Sequence, residues 1–290
     1  MTLGAAYTGL HTALGVPGSA RLRYAAAMTL YQAGKISGEV LEVYRSCASL
    51  DAQDPLVLLA HYGLENPFIG PAVTSLLAEI NVYLASLPGP GIADVRQGMA
   101  QARQNRVTPQ TPIPNMVIGQ HLGAALDAAC GQVPRLVAAI RAAEPYLRWI
   151  TYDGYDVQDI GADFMQGHAY TTLIGQDGPV AALDFDLGLF LIAPHVLYRD
   201  HCHPAPELYA PLTGPHGWRF GPDRPLRILP AHQPVWNPPN LPHLTKVGPQ
   251  PFLCLYAWTR DVNAGACIVP ADDWPVLESL RLKVASGAAS

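Results

Sequence analysis

The run PAVTSLLAEINVYLASL, residues 71–87, repeats apolar side chains at intervals of three and four: Val73, Leu76, Leu77, Ile80, Tyr83, Leu84 and Leu87. That period marks one face of an α-helix, and Pro71 suits a first helical position, where its missing N–H costs nothing. SARLRYAAAMTLYQAGKI is rich in Ala, Leu and Arg and places Gly34 where a helix would end. IADVRQGMAQARQ and NMVIGQHLGAALDAACG read the same way, the second closed by Gly131. Between them RVTPQTPIPN holds three prolines in ten residues, which predicts an extended connection. A further helix is expected from Pro134 through Leu136, Val137, Ile140 and Leu147.

After about Ile150 the pattern changes. AYTTLIG, PVAALDFDLGLFLIAP, LRILPAHQPVW and PFLCLYAWTR are short apolar and aromatic runs separated by turn clusters such as GQDGP. Strands at this spacing predict a sandwich or jelly-roll barrel. The tail PADDWPVLESLRLKVA returns to helix. The expected class is α+β: a helical region over 1–149, then a small β-barrel with a C-terminal helix over 150–290.

Composition narrows the functional classes. Hydrophobic residues at 49% against 14% charged supply ample material for a core. No apolar run reaches membrane-spanning length, and the first residues lack a basic leader followed by an apolar block, so a cytoplasmic protein is expected. A net charge of −5 with only Lys35, Lys246 and Lys283 argues against a nucleic-acid surface. The five cysteines are scattered, without a CxxC pair, and read as reduced thiols.

The chemistry concentrates in DHCHPAPELYAPLTG, residues 200–214. On a strand, His201 and His203 project to one side while Cys202 points away. Glu207 and Tyr209 share that parity, with Pro204 and Pro206 bending the chain between. Two imidazoles and a carboxylate inside a barrel are costly unless something pairs them, and a divalent metal does so. The donor set suits Zn, Fe, Mn, Ni or Co. WNPPNLPH, residues 236–243, adds His243 at the end of a Pro- and Asn-rich turn.

The pattern H-x-H-x3-E-x6-G, then P-x-(G or N)-x2-H, resembles the two cupin motifs: His201, His203, Glu207 and Gly214, then Pro238, Asn240 and His243. Asn240 stands where Gly is common, and no Asn follows His243 at the customary spacing. LGLFLIAPHVLYRDHCHPAPELYAPLTG, WNPPNLPH and LYAW together resemble the cupin-type dimethylsulfoniopropionate (DMSP) lyases, over roughly the last half of the chain. The resemblance implies cleavage of DMSP to dimethyl sulfide and acrylate. It implies ligation of one divalent metal by His203, Glu207 and His243, with His201 in or beside the shell. It also implies that Tyr209 is the catalytic base, able to sit on the metal before substrate arrives, and that Tyr198 belongs to the site.

The residues make that chemistry reasonable. β-Elimination beside a carboxylate removes a proton from a barely acidic carbon, and a metal on the carboxylate stabilises the developing charge. Free tyrosine has a pKa of about 10, and a nearby divalent cation favours the phenolate. The sulfonium needs an electron-rich enclosure, for which Tyr198, Trp236, Tyr256 and Trp258 are the candidates, with core packing as the alternative for Tyr256 and Trp258. Tyr198 lies at an odd offset from His201 and reaches the same face only if the Arg199–Asp200 step bulges.

Other tempting residues read as structural. His168, His195, His216 and His232 are isolated, as backbone-bonding histidines are. YDGYDVQDIGAD, with Asp153, Asp156, Asp159 and Asp163, lacks the ligand alternation of a calcium loop and reads as a solvated turn. Asp184 and Asp186 alternate as the polar face of a strand. The helical half forms core or a homodimer surface. Two other functions use the same ligands: an Fe(II)-dependent cupin dioxygenase, and a non-catalytic sensor or storage cupin. A small carboxylate or sulfonium molecule is the expected partner.

Overall fold

The computed structural model describes residues 1–283 apart from 11, 65, 66, 68, 104, 106 and 109. Its contacts divide the chain into two units, Met1–Pro71 and Ala72–Ser290. The switch from helix to strand expected near residue 150 falls inside the second unit.

The first unit carries α1 (Leu3–Leu10), α2 (Ser19–Gln32), α3 (Gly38–Ser46) and α4 (Pro55–His61). Side-chain caps explain where they start. Ser37 accepts from the Val40 amide and Asp54 from Leu56, while Asp51 takes the Gly18 and Ala20 amides at the start of α2. Gly34, at φ 66°, ends that helix as its sequence suggests, with the Lys35 amide returning to the Leu30 carbonyl. Ala26, Ala27, Leu30, Val40, Val43 and Leu59 form its core. Arg23 is buried among them and donates to the Thr12 and Asp51 carbonyls.

Helix α5 (Ile69–Ala85) spans the boundary, and the second unit continues with α6 (Ile92–Ala102), α7 (Met116–Cys130) and α8 (Pro134–Ala143). Of the periodic positions of α5, Val73, Leu76, Ile80 and Leu84 are fully buried. The segment expected to be a solvated turn instead holds two short helices, α9 (Val157–Ile160) and α10 (Ala162–Gly167). Asp156 starts α9 by accepting from the Gln158 amide at 2.8 Å. The aspartates there stay exposed, but Tyr155 and Ile160 are buried, so one face of the turn belongs to the core.

Among the described residues ten strands follow: β1 (His168–Ile174), β2 (Asp186–Ile192), β3 (Leu197–Cys202), β4 (Glu207–Pro211), β5 (His216–Arg219), β6 (Arg227–Leu229), β7 (Val235–Asn237), β8 (His243–Val247), β9 (Phe252–Trp258) and β10 (Cys267–Ile268). They form two five-stranded antiparallel sheets, ordered β1-β2-β9-β4-β7 and β10-β3-β8-β5-β6. From β2 to β5 and from β6 to β10 the chain passes back and forth between the sheets, the mark of a jelly roll. The run LRILPAHQPVW is therefore not one strand: Pro230 and His232, at φ 63°, carry β6 in one sheet to β7 in the other. Helix α7 lies against β1, β2 and β9. The C-terminal helix α11 is shorter than its sequence run, Trp274–Ser279, because Leu280 turns extended. The last two residues of that run, 284 and 285, lie outside the described residues. Arg199 ties α11 to β3 through Glu278 at 2.7 Å, and its guanidinium lies 4.8 Å from the Trp274 ring centre.

Candidate metal centre and its cavity

His201 lies near the end of β3 and His203 just after it, Glu207 opens β4 and His243 opens β8. Pairing within the sheets makes the cluster: His201 lies opposite His243, and Glu207 lies between Asn237 and Trp258. All four site residues are buried. The turn before His243 depends on Asn240, at φ 57°, a conformation that Gly or Asn adopts most easily. Its amide donates to the His203 carbonyl at 2.8 Å, so the residue standing in the glycine place joins the two motifs.

Each imidazole is oriented by a backbone carbonyl. Nδ1 of His201, His203 and His243 lies 2.9, 2.8 and 2.9 Å from the carbonyls of Arg199, Ala205 and Leu241. A carbonyl only accepts, so each ring carries a proton on Nδ1 and turns Nε2 toward the cluster. Nε2 of His203 and of His243 stands 3.2 and 3.4 Å from Glu207 Oε2. His203 Nε2 is within hydrogen-bond distance of that oxygen, so a proton or a metal cation can be held between them, while His243 Nε2 has no hydrogen-bond partner. Donor atoms of the three histidines lie within 4.8 Å of one another. Three imidazole nitrogens and one carboxylate, each held by a second partner, fit a divalent first-row metal.

The three imidazoles differ electrostatically. Burial, and then the neighbouring His243, hold His201 well below the usual imidazole range, which keeps it neutral. Burial opposes charge on His203, but the Glu207 carboxylate outweighs it and raises that imidazole. Burial likewise disfavours charge on Glu207, yet His203 and His243 hold its carboxyl well below the ordinary range. Glu207 is further fixed by Trp258, whose Nε1 donates to Oε1 at 2.7 Å, and by Asn237, whose Nδ2 donates to Oε2 at 2.8 Å.

A cavity of about 530 Å³ opens over this cluster. Tyr209, Tyr198, Tyr256 and Trp258 line it, together with His201, His203 and Glu207. Tyr198 reaches this face because the β3–β8 register slips by one residue between Tyr198 and His201, the bulge its offset requires. Its ring stacks on His201 at 3.8 Å. Burial, followed by the charge of Glu207, raises the Tyr209 phenol. Trp258 stacks on His203 at 4.5 Å, so it serves the ligands as well as the wall. The Tyr256 hydroxyl pairs with Thr172 at 3.0 Å.

Trp236 is not brought to the cavity. It pairs with Leu208, one position out of phase with Glu207, and its indole covers Gly91, where a Cβ would lie 2.1 Å from the ring. An aromatic residue on a strand does not declare its face until the register is known. Two residues went unseen in the sequence. Asn237 shows its part only through cross-strand pairing with Glu207, and Tyr155, whose hydroxyl lies 2.9 Å from that of Tyr198, sits in the run read as a turn. Cys202 does face away from the cluster, and there its Sγ meets that of Cys267 at 3.2 Å. His168 satisfies backbone groups, with Nδ1 2.6 Å from the Phe164 carbonyl and Nε2 accepting from the Tyr152 amide.

The family model for dimethylsulfoniopropionate lyase matches residues 92–254, more than half of the chain. The chain belongs to the dimethylsulfoniopropionate lyase family. The match begins within the helical region, so the family unit includes α6 to α8 as well as the strands that carry the site. The dimethylsulfoniopropionate lyase DddQ of Ruegeria pomeroyi is 34% identical over 131 residues, 43% of this chain and 63% of its own. DddL of Cereibacter sphaeroides, a putative dimethylsulfoniopropionate lyase, is 29% identical over 142 residues, 48% of this chain and 57% of its own. This chain thus spans less than two thirds of the length of these curated relatives. A chain from the crystal structures of the DMSP lyases RdDddP and RnDddQII shares the fold, with a TM-score of 0.55 at 22% identity, over 69% of this chain and 98% of that one. Among the described residues no helix is long and apolar enough to cross a membrane.

Proposed function

We propose that the protein is a metal-dependent carbon–sulfur lyase that cleaves DMSP to dimethyl sulfide and acrylate by base-catalysed β-elimination. The observation that carries this reading is the convergence of three imidazole Nε2 atoms and the Glu207 carboxylate beside a cavity whose wall includes a buried tyrosine on the same strand face. A divalent cation held there, of Zn, Fe, Mn, Ni or Co type, supplies a Lewis acid for the substrate carboxylate and a field that favours the phenolate of Tyr209.

The protein's own residues do the rest. Tyr209 takes the proton from the carbon next to the carboxylate. The electrons of that C–H bond form the double bond of acrylate, and the C–S bond breaks with its pair leaving on sulfur. The departing sulfide is neutral, so no general acid is needed. Tyr198 is held in place by its stack on His201 and by the Tyr155 hydroxyl, and it forms part of the cavity wall. Trp258 and Asn237 keep Glu207 aimed, which makes them positioning residues. Tyr256 belongs to the electron-rich lining that receives the sulfonium.

Acrylate measured by chromatography after incubation of the metal-loaded protein with DMSP tests the proposal. Wild type should release it, and Tyr209→Phe and His243→Ala should not, with Tyr209→Phe retaining its metal. Full activity in either variant contradicts these roles. Oxygen uptake with a thiol or aromatic substrate, without acrylate, would move the protein to the dioxygenase class.

A further inference from the structure

The cavity wall away from the imidazoles carries a carboxylate that the elimination does not use. Asp186 pairs with Trp258 across β2 and β9, Trp258 pairs with Glu207 across β9 and β4, and Glu207 pairs with Asn237 across β4 and β7. Directly paired residues of an antiparallel sheet project to the same face, so Asp186, Trp258, Glu207 and Asn237 form one row pointing inward. Asp186, Trp258 and Glu207 all line the cavity. Two strand spacings separate the Asp186 and Glu207 backbones, about 10 Å. The row therefore has a metal-binding end and an acidic end with an indole between them.

The acidic end is shaped for its carboxylate. Gly175 leaves the space that Asp186 Oδ1 occupies: a Cβ on Gly175 would lie 2.0 Å from that oxygen. Around the carboxylate stand Asp177 in the turn after β1, Asp184 before β2, and the phenols of Tyr170 and Tyr256. Asp184 is occupied in accepting the Val262 amide. Among the described residues no cation pairs with Asp186. Burial, and then the like charges of Asp177 and Asp184, raise its carboxyl to about 6. Arg148 also lines the cavity but makes no ion pair with Asp186; a partly buried carboxylate left unpaired beside two others is unfavourable, and a cationic ligand removes that cost. Beside it Tyr170 and Tyr256 meet edge to face with ring centres 6.1 Å apart, and both line the cavity. Aromatic faces next to a carboxylate are what an onium group binds best.

We infer that Asp186 is the specificity-determining residue of this cavity, selecting carboxylates that bear a permanent onium charge at the end of a short carbon spacer over neutral carboxylates of the same shape. The orientation of the ligand, carboxylate toward the imidazoles and onium toward Asp186, rests on the lyase reading above. The preference for positive charge does not.

A matched pair of uncleaved ligands separates the two. 3-(Trimethylammonio)propionate and 4,4-dimethylpentanoate have the same outline and differ in the central atom, nitrogen with a positive charge or neutral carbon. Calorimetric titration of the zinc-loaded protein should show the cation binding more tightly by on the order of tenfold. Asp186→Asn should lose most of that preference while binding the neutral ligand at least as well. In wild type alone, the preference should shrink as pH falls through about 6, where Asp186 takes up its proton. The carboxylate common to both ligands cancels the titration of the imidazole site from this ratio. Equal affinities in wild type, or a full preference surviving in Asp186→Asn and at low pH, would overturn the inference. A protein that prefers the cation but releases no acrylate from DMSP refutes the lyase reading and leaves this one standing.

Discussion

Asn237 Nδ2 donates to Glu207 Oε2 at 2.8 Å, and the same oxygen faces the Nε2 atoms of His203 and His243. The amide therefore decides which lone pair of the carboxylate remains for a cation. Asn237→Ala should weaken metal affinity by about 10- to 100-fold, the usual cost of losing a partner of a ligand. Competition against a chromophoric chelator measures it, and unchanged affinity would show that Trp258 alone positions Glu207.

Tyr155 and Tyr198 share a hydrogen bond of 2.9 Å, and both are buried. Tyr155→Phe leaves the Tyr198 hydroxyl without that partner inside the core, at a cost of about 1–3 kcal/mol in stability. Acrylate release should fall as well, because Tyr198 then loses one of its two supports. Urea unfolding and initial rates on one preparation read both effects. A variant with parental rate would assign Tyr155 to packing alone.

Just behind the cluster, Arg219 bridges two strands and a helix. It meets Asp200, the residue before His201, at 2.5 Å and Asp273 at 2.6 Å, and Trp274 Nε1 donates to the same Asp200 at 2.8 Å. Asp200 is fully buried. Arg219→Met strands that carboxylate and should destabilise the second unit by about 3–5 kcal/mol. Arg219→Met combined with Asp200→Leu should recover much of the loss, and a double variant no more stable than the single one would argue against an ion-pair origin.

On the far side of β3, Cys202 and Cys267 are directly paired, with Sγ atoms 3.2 Å apart. Opposed residues of antiparallel strands bring their Cα atoms within disulfide range. In a Cys130→Ser background, oxidised glutathione should therefore remove two thiols per chain with a mass loss of about 2 Da, by exchange through a mixed disulfide. Cys267→Ser should show no such loss. Cys130 is replaced because it is also an exposed thiol, and a stable glutathione adduct on Cys202 or Cys267 in that background would mean that the two sulfurs cannot close.

The parts of the site legible in the sequence are those that obey parity along a single strand. His201 and His203 project together because they are two residues apart, and Glu207 and Tyr209 follow the same rule on the next strand. Contributions that arise between strands were hidden. Asn237 and Asp186 join Glu207 only through register, and Trp236 leaves the cavity for the same reason. Tyr198 needed a bulge, which its sequence offset posed as a condition and the β3–β8 register meets. Among the helices, the periodicity of α5 found its buried face but not which unit that face would join, since amphipathicity names a face and no partner. Tyr155 was lost among aspartates that are indeed exposed.

The central claim is that three imidazole nitrogens and the Glu207 carboxylate grip one divalent cation. X-ray absorption at the zinc or manganese edge, on protein loaded to saturation, tests it most directly. The expected result is one metal per chain in a shell of histidine nitrogens and carboxylate oxygen, with imidazole scattering diminished in His203→Ala and His243→Ala. A shell without imidazole scattering, or one unchanged in both variants, would contradict it.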